Sequence, residues 1–143
     1  MNITDTTPTE SNLSGLDRKD FQKNINSRKT DLYILKNAQG MEVAVTNYGC
    51  AILSIMVPDK NGKFANVILG HDSIEHVINS PEPFLSTTIG RYGNRIANGK
   101  FTLYGEEHQL TVNNGPNSLH GGPTGFHARV WDAVQPNEST VIF

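Results

Sequence analysis

Cysteine is all but missing from the 143 residues: Cys50 stands alone. A single thiol excludes an intramolecular disulfide and any thiolate-rich metal site. Cys50 lies at a strand edge in "NYGCAILSI", with no local base or helix end to activate it, so it reads as a half-buried packing residue. Positive charge is equally short. Lys and Arg total 12 against 14 Asp and Glu, and no basic block occurs, which argues against nucleic acid and against an anionic membrane surface as partners. No apolar run nears the roughly 20 residues of a spanning helix. The opening "MNITDTTPTESNLSGL" has neither a basic n-region nor an apolar h-region, so a cytoplasmic location is expected.

Several nucleotide and hydrolase signatures are absent too. In "IGRYGNRIANGKF" (89–101) the gap between Gly93 and Gly99 is too long for a P-loop, and Phe101 follows Lys100 where Ser or Thr is required. No G-x-G opens a helix, which excludes a dinucleotide fingerprint. No G-x-S-x-G is present, and Ser118 has no evident base relay. Metal binding has little support: no carboxylate stands at ligand spacing from His120 and His127, and the spacing of His71 and His76 misses a shared helical face.

What the chain does have is β signal. A polar lead-in over 1–15, expected to be disordered, is followed by "SGLDRKDF", a short turn or helix with Ser14 as candidate cap and Asp17 three residues on. Strands are expected at 31–36, 42–47, 51–57 and 66–69, separated by "NAQG" and "PDKNGK" turns. "DSIEHVIN" (72–79) suits a two-turn helix, with Asp72 as cap and Glu75 in capping-box position. A hairpin is expected over 99–112 with its turn near Tyr104 and Gly105, then strands in "VWDAV" and "STVIF". Short strands with Gly, Asn and Pro between them predict an all-β sandwich or barrel. The apolar ending "TVIF" predicts an exposed strand edge and a truncated chain.

Two segments hold the chemistry. The first sets Arg91 and Arg95 among glycines; an arginine fork there suits hydroxyls and ring oxygens, or equally the carbonyls of neighbouring loops. The second, "NNGPNSLHGGPTGF" (113–126), brackets His120 with Leu119 and two glycines, which would hold an imidazole at a cleft wall. A surface or satisfied loop histidine is the plainer alternative. Phe126 and Trp131 are candidates for a sugar-stacking platform, though core packing is commoner for aromatics in a β protein. Residue types alone point to a polar, glycine-rich cleft for a neutral ligand.

Taken together, "GRYGNRIANGKFTL", "NNGPNSLHGGPTGF" and "VW" resemble the N-terminal part of the aldose 1-epimerases, the galactose mutarotases; "TNYGCAILSIMVPDKNGK" and "NVILGHDSIEHV" upstream resemble them as well. The resemblance runs from Leu16 to Phe143 and departs at Cys50, where relatives often carry a second glycine. It implies a large antiparallel β-sandwich, incomplete in this chain, with 16–143 as the N-terminal part of a single domain. It implies interconversion of the α and β anomers of galactose, glucose and similar free hexoses, without a required cofactor, by a protein that is monomeric when full length. Some relatives hold a structural calcium ion, whose ligands nothing here specifies.

By the same resemblance Asn94, Arg95 and His120 fall on sugar-binding positions, Asn94 either supporting the arginine or touching the sugar itself. Arg91, Asn117 and Gly121 would shape the loops. The family's proton-transfer pair, an acid histidine and a base glutamate, is expected downstream of Phe143, so no catalytic residue is assigned here and the isolated chain is expected to be inactive and poorly soluble. Two other functions are weighed. A non-catalytic carbohydrate-binding β-sandwich module would bind without turnover. An epimerase of hexose 6-phosphates would need an added basic patch, which the sequence does not make evident.

Overall fold

The computed structural model describes residues 12–143; most of the expected lead-in, residues 1–11, lies outside the described residues. At its start the described chain is already tied down. The amides of Leu13 and Ser14 donate to the two carboxylate oxygens of the fully buried Glu42, at 2.9 and 3.0 Å. Ser14 is thus not the expected helix cap. The single turn of 3₁₀-helix at Arg18–Phe21 is capped by Asp17, whose carboxylate accepts from the Lys19 amide. That turn delivers Phe21 to the core.

A two-residue pair, β1 (Asn24–Ile25) and β2 (Arg28–Lys29), leads into the main sheet. The sheet contains β3 (Leu32–Lys36), β4 (Glu42–Thr46), β5 (Ile52–Pro58) and β6 (Phe64–Asn66), antiparallel and in chain order. Side-chain oxygens shape its tight turns. Asn37 Oδ1 accepts from the amides of Gln39 and Met41, and Asp59 Oδ1 from those of Asn61 and Lys63. The turns expected at "NAQG" and "PDKNGK" are thus both built as Asx turns.

The strand expected at 66–69 stops at Asn66. Its side-chain oxygen takes the amides of Ile55 and Ile68, so the side chain replaces the ladder there. After it comes α1 (Ile74–Ile78), capped by Ser73 rather than by Asp72. Ser73 Oγ accepts from the His76 amide, while the Asp72 carboxylate meets His76 Nδ1 at 2.5 Å. The expected capping box is not formed: Glu75 pairs instead with Lys23. Ile74 and Val77, three apart on one helix face, pack with Phe21, Leu32, Ala44, Ala51 and Leu53 into the core.

The remaining strands are short. β7 (Arg95–Ile96) pairs with β10 (Ser118–Leu119), and β8 (Lys100–Leu103) with β9 (Glu106–Gln109) around Tyr104 and Gly105, as expected for that hairpin. "VWDAV" is largely not a strand: Val130 makes an isolated bridge to Tyr48, and β11 (Val134–Asn137) begins only at its end. β12 (Thr140–Ile142) pairs with β11, and Phe143 lays its ring edge-on against Tyr33, with centroids 5.9 Å apart. The architecture is all-β. Among the described residues, no helix is long and apolar enough to cross a membrane.

One buried amide joins the sheet to the later loops. Asn47, just past β4, accepts from the Asp31 amide at 2.8 Å and donates to the carbonyls of Lys29 and Trp131 at 3.1 and 2.9 Å. Its own carbonyl accepts from the Trp131 amide at 2.8 Å. Removing the side chain leaves two carbonyls and an amide without partners in a place water reaches poorly, at a cost of about 3 kcal/mol. Asn47→Ala is therefore expected to lower the urea midpoint clearly at neutral pH; an unchanged midpoint would show that the tie carries little.

Candidate functional site

The glycine- and asparagine-rich segments converge. Asn114 and Asn117 close a turn by backbone bonds in both directions, at 3.1 and 3.0 Å. The Asn113 side chain braces it, accepting from the Leu119 amide at 2.7 Å and donating to the Leu119 carbonyl at 3.0 Å. The register of β7 with β10 sets Leu119 opposite Arg95, which brings the next residue, His120, beside Asn94. Both take a left-handed backbone, φ +54° at His120 and +61° at Asn94, a conformation that Asn and His adopt more readily than most residues.

The two residues are tied twice. The His120 amide donates to the Asn94 carbonyl at 2.9 Å, and the Asn94 amide donates to His120 Nδ1 at 3.0 Å. Nδ1 is thus an acceptor, so the neutral ring carries its proton on Nε2. Arg95 is held as firmly: Nε donates to Asn114 Oδ1 at 2.9 Å and a terminal nitrogen to Asn94 Oδ1 at 3.2 Å. Asn94 supports the arginine, one of the two roles expected of it. The three residues form one hydrogen-bonded unit, Arg95 and Asn94 exposed and His120 half-buried.

Glycine permits this meeting. A Cβ on Gly121 would stand 1.9 Å from the Gly90 carbonyl oxygen, and Gly121 has φ +86°. An open cleft of about 1410 Å³ adjoins the unit, lined by Arg95, Arg91, Gly121, Phe126 and Trp131 among others. Phe126 and Trp131 pack edge to face at 5.0 Å, the Trp131 indole donates to the Phe126 carbonyl, and the Arg91 guanidinium lies 5.5 Å from the Phe126 ring centre. The pair is neither sealed in the core nor presented as a flat stacking face.

Three participants were not legible from spacing. Asn114 lies inside the motif that drew attention to His120, and its duty as the Arg95 acceptor needs the three-dimensional turn. Phe84 places its ring against both His120 and His127, at 4.9 and 4.6 Å. His127, weighed in the sequence only as a metal ligand, is buried, and its Nδ1 has no hydrogen-bond partner. Among the described residues, no group of three or more His, Cys, Asp or Glu is placed to hold a metal ion. Burial pushes the Cys50 thiol up to about 11 against a weaker hydrogen bond from Thr88 that lowers it, so it is protonated at neutral pH. Its φ of +46° explains why a glycine would serve at this position.

The profile of the aldose 1-epimerase family matches residues 31–143. The chain belongs to that family. Its resemblance to galactose mutarotase of Bos taurus is 43% identity over 91 residues, covering 64% of this chain and 26% of that protein. To the aldose 1-epimerase of Escherichia coli it is 40% over 112 residues, covering 78% and 32%. Among solved structures, an aldose epimerase homologue from C. elegans superposes with a TM-score of 0.74 at 33% identity, covering 78% of this chain and 34% of that one. Galactose 1-epimerase from Lactobacillus acidophilus gives 0.66 at 32% identity, covering 78% and 32%. The chain therefore has the fold of the epimerase family and spans about a third or less of the length of these relatives.

In this epimerase-family chain His127 should register in the pH dependence of stability. Burial, reinforced by positive charge on His120, holds its pKa below the ordinary value of 6.5. The unfolded chain takes up that proton first, so the stability is fully present above about pH 6.5 and is lost as pH falls through the folded pKa. His127→Phe is expected to flatten this decline when urea midpoints at pH 7.5 and 5 are compared. An equally steep fall in the variant would assign the effect to other groups.

Proposed function

We propose that this chain supplies the aldose-binding part of a mutarotase, with Arg95 and His120 donating to hydroxyls or the ring oxygen of a free hexose and Asn94 holding both. The observation that carries the reading is the bond from the Asn94 amide to His120 Nδ1, which leaves Nε2 to carry the proton of the neutral ring and act as its donor. A neutral donor beside a guanidinium matches a ligand rich in oxygen acceptors. Family membership and the sugar substrates in the names of the bovine and bacterial relatives support the same class of ligand.

Mutarotation opens the ring by taking the proton of the anomeric hydroxyl while the ring oxygen is protonated, then closes it on the other face of the carbonyl. It requires an acid and a base but no cofactor. His120 is fixed as a donor by Asn94, so it orients the sugar rather than accepting the anomeric proton. With the proton-transfer pair outside these 143 residues, the chain alone binds without turnover.

A phosphorylated hexose is less well supported. Arg28, Arg91, Arg95 and Arg129 do line one cleft, but Arg28 and Arg129 are committed to acceptors inside the protein and Arg91 is drawn against a ring. Arg28 donates to the Val130 carbonyl and to Asp132, Arg129 to the Thr124 carbonyl, and Arg91 lies against Phe126.

Calorimetric titration with galactose and with galactose 6-phosphate tests the reading. The free sugar is expected to bind, and Arg95→Ala to weaken it by roughly tenfold or more, the worth of a hydrogen bond to a charged group. Tighter binding of the phosphate ester would favour the phosphorylated substrate. Polarimetry of fresh α-galactose is expected to show only the spontaneous rate; acceleration by the purified chain would overturn the assignment of binding without turnover.

A further inference from the structure

Phe84 lies outside the sugar-facing unit, yet it touches that unit's histidine. Its ring packs against His120 at 4.9 Å and 65° and against His127 at 4.6 Å and 62°, both edge-on. The loop that carries it is fastened to the main sheet and its neighbours at three points. The Ile52 amide donates to the Ser86 carbonyl at 2.9 Å, Ser86 Oγ to the Leu69 carbonyl at 2.9 Å, and the Thr88 amide to the Gly49 carbonyl at 2.8 Å. On the far side, His127 is itself wedged: a Cβ on Gly49 would stand 2.4 Å from the His127 carbonyl oxygen, and the Gly49 amide donates to Arg129 at 2.7 Å. Phe84 thus stands on a rigid support between two imidazoles.

We propose that Phe84 is a positioning residue for His120, fixing the plane of its ring so that Nε2–H points at the ligand. The proposal rests on the reading of His120 as a sugar donor for its purpose, not for its geometry. The hydrogen bond from Asn94 selects the tautomer only while the ring stays in line with the Asn94 amide; a ring free to tilt lengthens that bond and lets Nδ1 take the proton, so the tautomer reports the tilt. An aromatic ring packed against the imidazole at 65° removes that tilt, because edge-to-face contacts have a preferred geometry as well as an area. A buried His127, whose pKa burial holds low, completes the wall without placing a charge beside Phe84 at neutral pH.

The test is a two-bond proton–nitrogen NMR spectrum of the full 143-residue chain with labelled histidine, run alongside galactose titration. The wild-type chain is expected to show His120 with an unprotonated Nδ1 and a protonated Nε2. In Phe84→Ala the same ring should shift toward a mixture of tautomers, and galactose affinity should fall by roughly threefold to tenfold, the range of one aromatic contact. Phe84→Tyr, which keeps the ring, should restore both. If the alanine variant fails to fold, Phe84→Leu carries the test, with the same tautomer shift expected from a side chain of similar bulk and no aromatic edge.

A folded alanine or leucine variant with an unchanged His120 tautomer would overturn the proposal, even if sugar binding weakened. A Phe84-dependent tautomer in a chain that binds no galactose would uphold the positioning and remove the sugar reading instead.

Discussion

At the meeting of the 89–95 and 118–126 loops, the carbonyl oxygen of Gly90 occupies space that any side chain on Gly121 would need. Main chain lies directly against main chain there, and the Phe126 amide donates to that same carbonyl at 3.1 Å. Asn94 and His120 exchange their two bonds a few residues away, and the cleft opens beside them. The close approach sits beside the β7–β10 pair, across which Arg95 reaches Asn114. The polar side chains are the visible part of the site; its shape is set by atoms that are not there.

The loops in turn lean on the sheet. Asn47 acts as a short piece of backbone, bonding β2, the start of β3 and Trp131 through one planar group, and the bridge from Tyr48 to Val130 continues the same seam. Ser86 and Thr88 fasten the intervening loop to residues around β5. The hydrophobic core under α1 therefore reaches the site through hydrogen bonds rather than through apolar packing.

The strands of the main sheet could be read from β-branched runs between Asx turns because both signals are local: "DLYILK", "EVAVTN" and "AILSIMV" each contain their own pattern. The failures came where a side chain outbid an expected backbone role. Asn66 ended a strand early, Ser73 displaced Asp72 as the cap, and Asp17 displaced Ser14. The motif containing His120 announced its turn, and the likeness to the epimerases pointed to Asn94, Arg95 and His120. Asn114, Phe84 and His127 stayed hidden because their roles depend on separate loops meeting in space, which no period or spacing encodes.

Asn47 also sets an order of events for the growing polypeptide. Each strand of the main sheet pairs with its neighbour in sequence, so that sheet needs only short loops to close, the kind that form early. The Asn47 amide and its partner carbonyl on Trp131 are separated by 84 positions. During synthesis the sheet is thus complete while the Asn47 side chain still lacks the last of its partners. The loops that carry Asn94, Arg95 and His120 arrive on a platform already built.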